Sequence, residues 1–247
     1  MENDNTSSVS VDAPPTAYHN RLLEALPESD YLRLLPELEP VTFELRQVLF
    51  EPGADITHVY FPSSGMASLV NDMKDGTVEV GTIGNEGMVG TPILLHASKL
   101  PMRAFIQLAG EGHRIPSEPF LRVVRDSPAA ERLFLRYVQT QFDHLAQWVA
   151  CNRLHTLDAR CARWLLMSED RAHSSQFLLT QEFLSYMLGV HRPAVSIAAS
   201  ALSDAGLIRY TRGKVTIVDR AGLETAACEC YGITRRATDS LFADFTG

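Results

Sequence analysis

The residues best able to do chemistry in this chain are basic and lie near its C-terminus. Arg192 heads the stretch "RPAVSIAASALSD", and Arg212 and Lys214 sit in "GLIRYTRGKVTIVD". An arginine carries a rigid fork of donors, and a face bearing several cations can approach phosphate oxygens. Ser196 and Ile197 occupy the next turn of the same stretch. Ser200 lies one turn further on the side of Arg192 and Ser196, and Thr180 is placed to cap a helix. Residues 171–220 hold six basic residues (Arg171, Arg192, Arg209, Arg212, Lys214, Arg220) against three acidic ones (Glu182, Asp204, Asp219), a local charge of +3. The whole chain carries -8, so the remainder carries -11. Charge segregated in this way lets one face of an acidic protein approach a polyanion.

Other reactive types do not converge in the sequence. The eight histidines are scattered without a nucleophile or paired carboxylate beside them, and "GMASL" lacks the second glycine of a nucleophile elbow, so the chain does not read as an enzyme. Cys151, Cys161, Cys228 and Cys230 match neither a small disulfide framework nor a paired C-x-x-C zinc site, and they read as reduced packing residues. Cys151 and His155 stand one helical turn apart and offer two metal ligands. Nothing nearby in sequence completes a tetrahedral set, so no metal is expected. Gly81, Gly84, Gly87 and Gly90 fit neither a P-loop nor a dinucleotide fingerprint and are better explained as turns of a tight sheet.

The basic residues need elements to hold them. Thr180 is an N-cap, and Leu184, Met187 and Leu188 give the following helix an apolar face that ends at Gly189. A second helix is expected from about Arg192 to Asp204, with Pro193 tolerated in its first turn and Val195, Ala198, Ala199 and Leu202 lining its inner side. Two strands around a basic turn follow. Two short helices hinged at a glycine, plus such a hairpin, have the geometry of a winged helix-turn-helix. Upstream, residues 129–153 form a long helix in which Leu135, Val138, Phe142, Leu145 and Val149 recur at steps of three, four, three and four, the seam of a coiled coil. Leu133, Phe134, Tyr137, Ala146 and Trp148 make a second face that packs inward, so a parallel homodimer is expected. Residues 39–116 alternate short β-rich runs with turn signals, which predicts a small antiparallel roll or barrel.

Length and composition set the frame around these elements. A chain of 247 residues with 45% hydrophobic content can bury one large core or two modest ones. The expected fold class is α+β, with residues 1–18 a disordered tail, 19–128 the β-roll with flanking helices, 129–153 the dimerisation helix and 154–247 the DNA-binding unit. The first eighteen residues lack the charged and apolar segments of a secretory signal, and no apolar run is long enough to span a bilayer. A cytoplasmic protein with no membrane partner is expected.

From residue 20 to residue 245 this order resembles the Crp/Fnr family of bacterial transcription regulators, and "HVYFPSSGMASLV", "GTIGNEGMVGTPILL" and "LTQEFLSYMLGVHRPAVSIAASALSDAGLI" are similar to its β-roll and DNA-reading module. The resemblance implies a cyclic-nucleotide-binding-like roll, a dimerisation helix and a homodimer on a roughly palindromic stretch of double-stranded DNA, with RNA polymerase a further candidate partner. Arg192 falls where the family places an arginine at the start of its recognition helix, which implies two parallel hydrogen bonds to O6 and N7 of a guanine. The resemblance likewise puts Ser196 and Ile197 on the next groove-facing turn, where a hydroxyl reads bases loosely and an isoleucine can touch a thymine methyl, and sets Thr180, Arg212 and Lys214 against the phosphate backbone. The acidic residue that often follows is here Pro193, so the family's usual target is not implied. The effector position maps to Gly90, Thr91, Met102 and Arg103. Thr91 stands where the family has glutamate and Met102 where it has arginine, and strand alternation would point Arg103 out of the pocket, which argues against a cyclic nucleotide. No N-terminal cysteine cluster announces iron and sulfur, and His58, His96 or His113 would serve a haem only by coincidence, so no cofactor is implied. The alternative is a nucleotide-sensing or protein-interaction module whose helix-turn-helix is vestigial.

Overall fold

Short amphipathic strands bury their apolar sides only by folding over one another. The computed structural model describes residues 19–245, so the tail expected over residues 1–18 lies outside the described residues. Helices α1 (Arg21–Glu24) and α2 (Glu28–Leu34) lead into strands β1 (Glu39–Phe43), β2 (Val48–Phe50), β3 (His58–Pro62), β4 (Met66–Met73), β5 (Gly76–Ile83), β6 (Arg103–Leu108) and β7 (Gly110–Pro116). The strands pair antiparallel in two sheets, ordered β1-β7-β3 and β2-β6-β4-β5. A 3-10 turn over Thr91–Leu95 links β5 to β6. Helices α3 (Ser117–Asp126), α4 (Pro128–Leu154) and α5 (Leu157–Ala172) follow, then β8 (Gln176–Leu178), α6 (Gln181–Leu188), α7 (Arg192–Asp204), β9 (Ile208–Thr211), β10 (Lys214–Ile217), α8 (Arg220–Ala226) and α9 (Cys230–Ala243).

The long helix has the expected place and nearly the expected length. Ser127 caps it, accepting the Ala130 amide at 3.2 Å, and Pro128 fits its first turn. Its inward face is Leu133, Phe134, Tyr137, Thr140, His144, Trp148 and Cys151. Ala146, expected on that face, is exposed. It lies two residues from both His144 and Trp148, a rotation of about 200°, which turns it to the opposite side. The first half of α4 belongs to the core of the roll, with Phe61, Phe120, Ile106 and Val89, and α9 returns Leu241 and Phe242 to the same core. A second core gathers α5, α6, α7 and the β8-β10-β9 sheet, and takes in Met66, Val70, Phe105 and Leu108 from the roll.

Two buried carboxylates tie these cores together. Arg171, at the end of α5, enters the roll and places its Nη2 2.6 Å and its Nε 3.0 Å from Glu86 Oε1. The glycines of "GTIGNEG" serve this approach as well as the turns. A Cβ on Gly84 would collide with the Arg171 side chain, and one on Gly87 with the Tyr137 hydroxyl. Burial alone would raise the Glu86 pKa, but the guanidinium outweighs it and holds the carboxyl below its ordinary value. Glu79 differs. Ser68 Oγ donates to it at 2.6 Å and Trp164 Nε1 at 3.1 Å, and no guanidinium among the described residues forms an ion pair with it. Burial, opposed by those hydrogen bonds, raises its pKa from 4.5 to about 7.

Between those two values the folded state holds a proton at Glu79 that the unfolded chain has lost, so this contribution to stability is complete below 4.5 and disappears as pH rises through about 7. Chemical denaturation should show wild-type stability dropping by up to about 3 kcal/mol from this group between about pH 5 and about pH 8. Glu79→Gln, which removes the titrating group and keeps one carbonyl oxygen to accept from Trp164, should flatten that stretch of the curve. Parallel pH profiles for the two proteins would refute the assignment.

Candidate nucleic-acid interface

The basic face is assembled from local signals. Thr180 caps α6, its Oγ1 accepting the Phe183 amide at 3.1 Å. Gly189 ends the helix in the left-handed region at φ +64°, and the next amide, of Val190, returns to Ser185 O at 3.0 Å. Only then can the chain turn into α7, whose first residue is Arg192. Val195, Ala198, Ala199 and Leu202 bury its inner side, as their spacing requires. Arg192 and Ser200 are exposed on the other side, as is Ile197, 71% accessible. Arg192 forms no ion pair among the described residues. Ser196 is only half exposed. Its hydroxyl donates to Gln181 Oε1 at 2.7 Å, bracing α7 against the first residue of α6, a partner the sequence did not single out.

The wing is a tight hairpin. Arg212 (φ +50°) and Gly213 (φ +76°) are consecutive left-handed residues, the pair a two-residue turn of the right twist needs, and Thr211 pairs with Lys214 across it. Arg209, Arg212 and Lys214 are exposed. A third strand, β8, adds to the hairpin through Phe177 opposite Val215 and was not expected, since three residues show no periodicity.

The count of six cations over residues 171–220 needs correction. Arg171 is buried against Glu86, and Arg220 is held by Glu169 at 2.6 Å, Asp170 at 2.7 Å and Glu224 at 3.2 Å. Those carboxylates all lie outside the window, so two of its positive charges are spent inside the protein. The exposed cations that remain to meet an anion are Arg192, Arg209, Arg212 and Lys214.

The four effector candidates are spread over two environments. Gly90 is left-handed at φ +108°, and a Cβ there would lie 3.0 Å from Val59 and 3.3 Å from Ile56, so close packing of the roll uses this glycine. Thr91 begins the 3-10 turn, and Met102 packs on the roll core. Arg103 points elsewhere. It pairs with Asp72 at 3.0 Å and lines a groove of about 470 Å³ between roll and helix-turn-helix, with Arg46, Phe105, Thr180, Phe183 and Tyr186. Neither Gly90 nor Met102 reaches that groove. The Phe105 and Phe183 rings meet edge to face at 6.0 Å on its floor. At the turn between α4 and α5, the two metal-ligating types seen in sequence, Cys151 and His155, are joined by Cys228 and Cys230.

Residues 40–127 match the cyclic nucleotide-binding domain and residues 159–226 the Crp-like helix-turn-helix domain, together more than half of the chain. Among solved structures, FixK2 from Bradyrhizobium japonicum superposes with a TM-score of 0.65 at 14% identity, over 77% of this chain and 98% of that one. A CRP-family transcriptional regulator from Thermus thermophilus gives 0.64 at 20% identity, over 76% and 96%. The c-di-GMP responsive global regulator CLP of Xanthomonas campestris gives 0.61 at 17% identity, over 77% and 99%. At these identities the likeness concerns the fold. No curated protein matches the chain.

Proposed function

The chain belongs to the Crp/Fnr family of DNA-binding transcription regulators, and on that premise we propose that it acts as a homodimer whose two α7 helices enter successive major grooves of a roughly palindromic operator. The observation that carries this reading is the exposed outer face of α7, with Arg192 at its head and the cations of the wing beside it. In this reading Arg192 holds a guanine through two parallel hydrogen bonds, and Ile197 offers methyl contact to a thymine. Ser196 and Ser200 make looser contacts. Thr180, Arg212 and Lys214 meet phosphates and set the register.

The dimer rests on α4. Leu135, Phe142, Leu145 and Val149 stand 42%, 64%, 39% and 73% exposed, with Val138 half-buried between them. A stripe of large apolar residues at steps of three and four is stabilised by a second copy of itself at about 25 cal/mol per Å² removed from water. Paired in parallel, the two helices would set the recognition helices about 34 Å apart, one turn of duplex. An effector at the roll would act by shifting the geometry of the Arg171–Glu86 joint, and with it the placement of α5 and all that follows. No described helix is long and apolar enough to cross a membrane, and we assign the protein to the cytoplasm with its DNA.

Titration of labelled operator at several salt concentrations tests the reading. Affinity should fall with a log-log slope of about -0.9 for each phosphate contacted, and a flat response would favour a module that works through protein contacts alone. Arg192→Ala should cost about 1–3 kcal/mol on the operator and relax one base pair per half-site, whereas Lys214→Ala should weaken all sequences alike. If a binding selection returned the same consensus for wild type and Arg192→Ala, that arginine would not be the reader. Val138→Asp or Leu145→Asp should convert a dimer into monomers by light scattering, and an unchanged mass would overturn the seam.

A further inference from the structure

The fold brings together four side chains whose chemistry the DNA-binding reading does not use. Cys151 and His155 project from the last turn of α4 and its end, Cys228 from the connection between α8 and α9, and Cys230 from the first position of α9. One ligand atom from each lies within 4.8 Å of all the others. Cys151 Sγ is 3.5 Å from Cys228 Sγ, and Cys230 Sγ is 3.4 Å from His155 Nδ1. A tetrahedral zinc ion, with Zn–S about 2.3 Å and Zn–N about 2.0–2.1 Å, needs edges of about 3.8 Å between sulfurs and about 3.5 Å between sulfur and nitrogen. An iron–sulfur cluster would hold its ligands farther apart, because bridging sulfides separate the irons to which they bind.

The surroundings suit an ion as well. His155 turns its other nitrogen, Nε2, to Glu229 Oε1 at 3.2 Å, the carboxylate contact that fixes a ligating imidazole with Nδ1 free to coordinate. Gln147 Nε2 donates to Cys230 Sγ at 3.0 Å, a bond that favours a thiolate. Three thiolates and one divalent ion sum to a single negative charge, and the guanidiniums of Arg160 and Arg163 act on these sulfurs from α5. The three cysteines are buried, while the His155 side chain is 21% exposed and leaves a way in.

We propose that Cys151, His155, Cys228 and Cys230 form a tetrahedral site for one zinc ion, which clasps the C-terminal end of α4 to the start of α9. Two of its ligands are 77 residues apart in sequence, Cys151 and Cys228, so the ion would cross-link the dimerisation helix to the far side of the helix-turn-helix. The site is a property of the single chain and stands independently of any operator.

The test uses the full chain, reduced, stripped with a chelator and titrated anaerobically without DNA. Cobalt(II) should bind at one per chain, with the intense visible absorption of a tetrahedral ion and a thiolate-to-metal charge-transfer band, and one equivalent of zinc should bleach both. Cys228→Ser should abolish the charge-transfer intensity of its sulfur, and Cys161→Ser, outside the cluster, should change nothing. Glu229→Gln spares every ligand and should weaken zinc binding by about tenfold or more. His155→Cys should retain binding while shifting the spectrum toward four thiolates, an outcome that packing alone does not produce. Weak, octahedral-type absorption in the reduced wild type, unaltered affinity in Cys228→Ser, or a Cys151–Cys228 disulfide as the only change the cluster undergoes would each overturn the site.

Discussion

The organisation of this protein depends on one buried ion pair. Arg171 reaches from the end of α5 into the roll and meets Glu86 with side chains about a tenth exposed, while its own carbonyl accepts the Gly65 amide at 3.0 Å. Pairs of this kind hold only when their remaining lone pairs and protons are also satisfied, and loss of one partner strands a charge in a low dielectric. Here the satisfaction comes from the "GNEG" turn. The Gly84 amide donates to Glu86 at 3.1 Å, the Met88 amide donates to the Tyr137 hydroxyl at 3.0 Å, and Asn20 donates to the Gly87 carbonyl at 2.8 Å. Roll, α4, α5 and the N-terminal helix thus share a single knot of hydrogen bonds. Through this knot the turn of the roll touches the long helix directly and reaches the helix-turn-helix by way of α5.

Around this knot the two cores are interlocked. α4 gives its first half to the roll and its second half, through Trp148, to the second core, and α9 runs back along it to place Leu241 and Phe242 under the roll. Arg21 stacks over the Phe242 ring at 4.2 Å and pairs with Asp239 at 3.0 Å, so the start and end of the described chain are joined. α5, on which α7 packs, is therefore tied to the roll by Arg171 and flanked by α9.

What could be seen in the sequence was local. Thr180, Gly189 and Pro193 each mark a helix boundary by their own backbone chemistry, and the apolar steps of α4 and α7 settle which sides turn inward, so the winged helix-turn-helix and the long helix were legible in position and type. The order of elements matched a known family because such patterns survive where identity has fallen to about a fifth. Contacts between distant residues were not legible. Arg171 and Arg220 counted as free charge because their carboxylates come from other segments. Cys151 and His155 stood as two ligands because Cys228 and Cys230 reach them only through the return of the chain. Gly84 and Gly87 bound a turn, as expected, and are clearances for Arg171 and Tyr137 besides, a second role that depends on what packs against them rather than on their neighbours in sequence.

The bond from Ser196 to Gln181 has an effect on recognition. With that hydroxyl proton engaged at 2.7 Å and Pro193 bearing no donor, Arg192 and Ser200 are the exposed donors among the proposed base-facing residues of α7, and Ser196 is left to accept. Few bases can be distinguished by so small a vocabulary. If two copies read a two-half-site operator as proposed, selectivity would draw on how readily a given duplex bends and how wide its minor groove lies between the half-sites, qualities sensed through the sugar–phosphate rails.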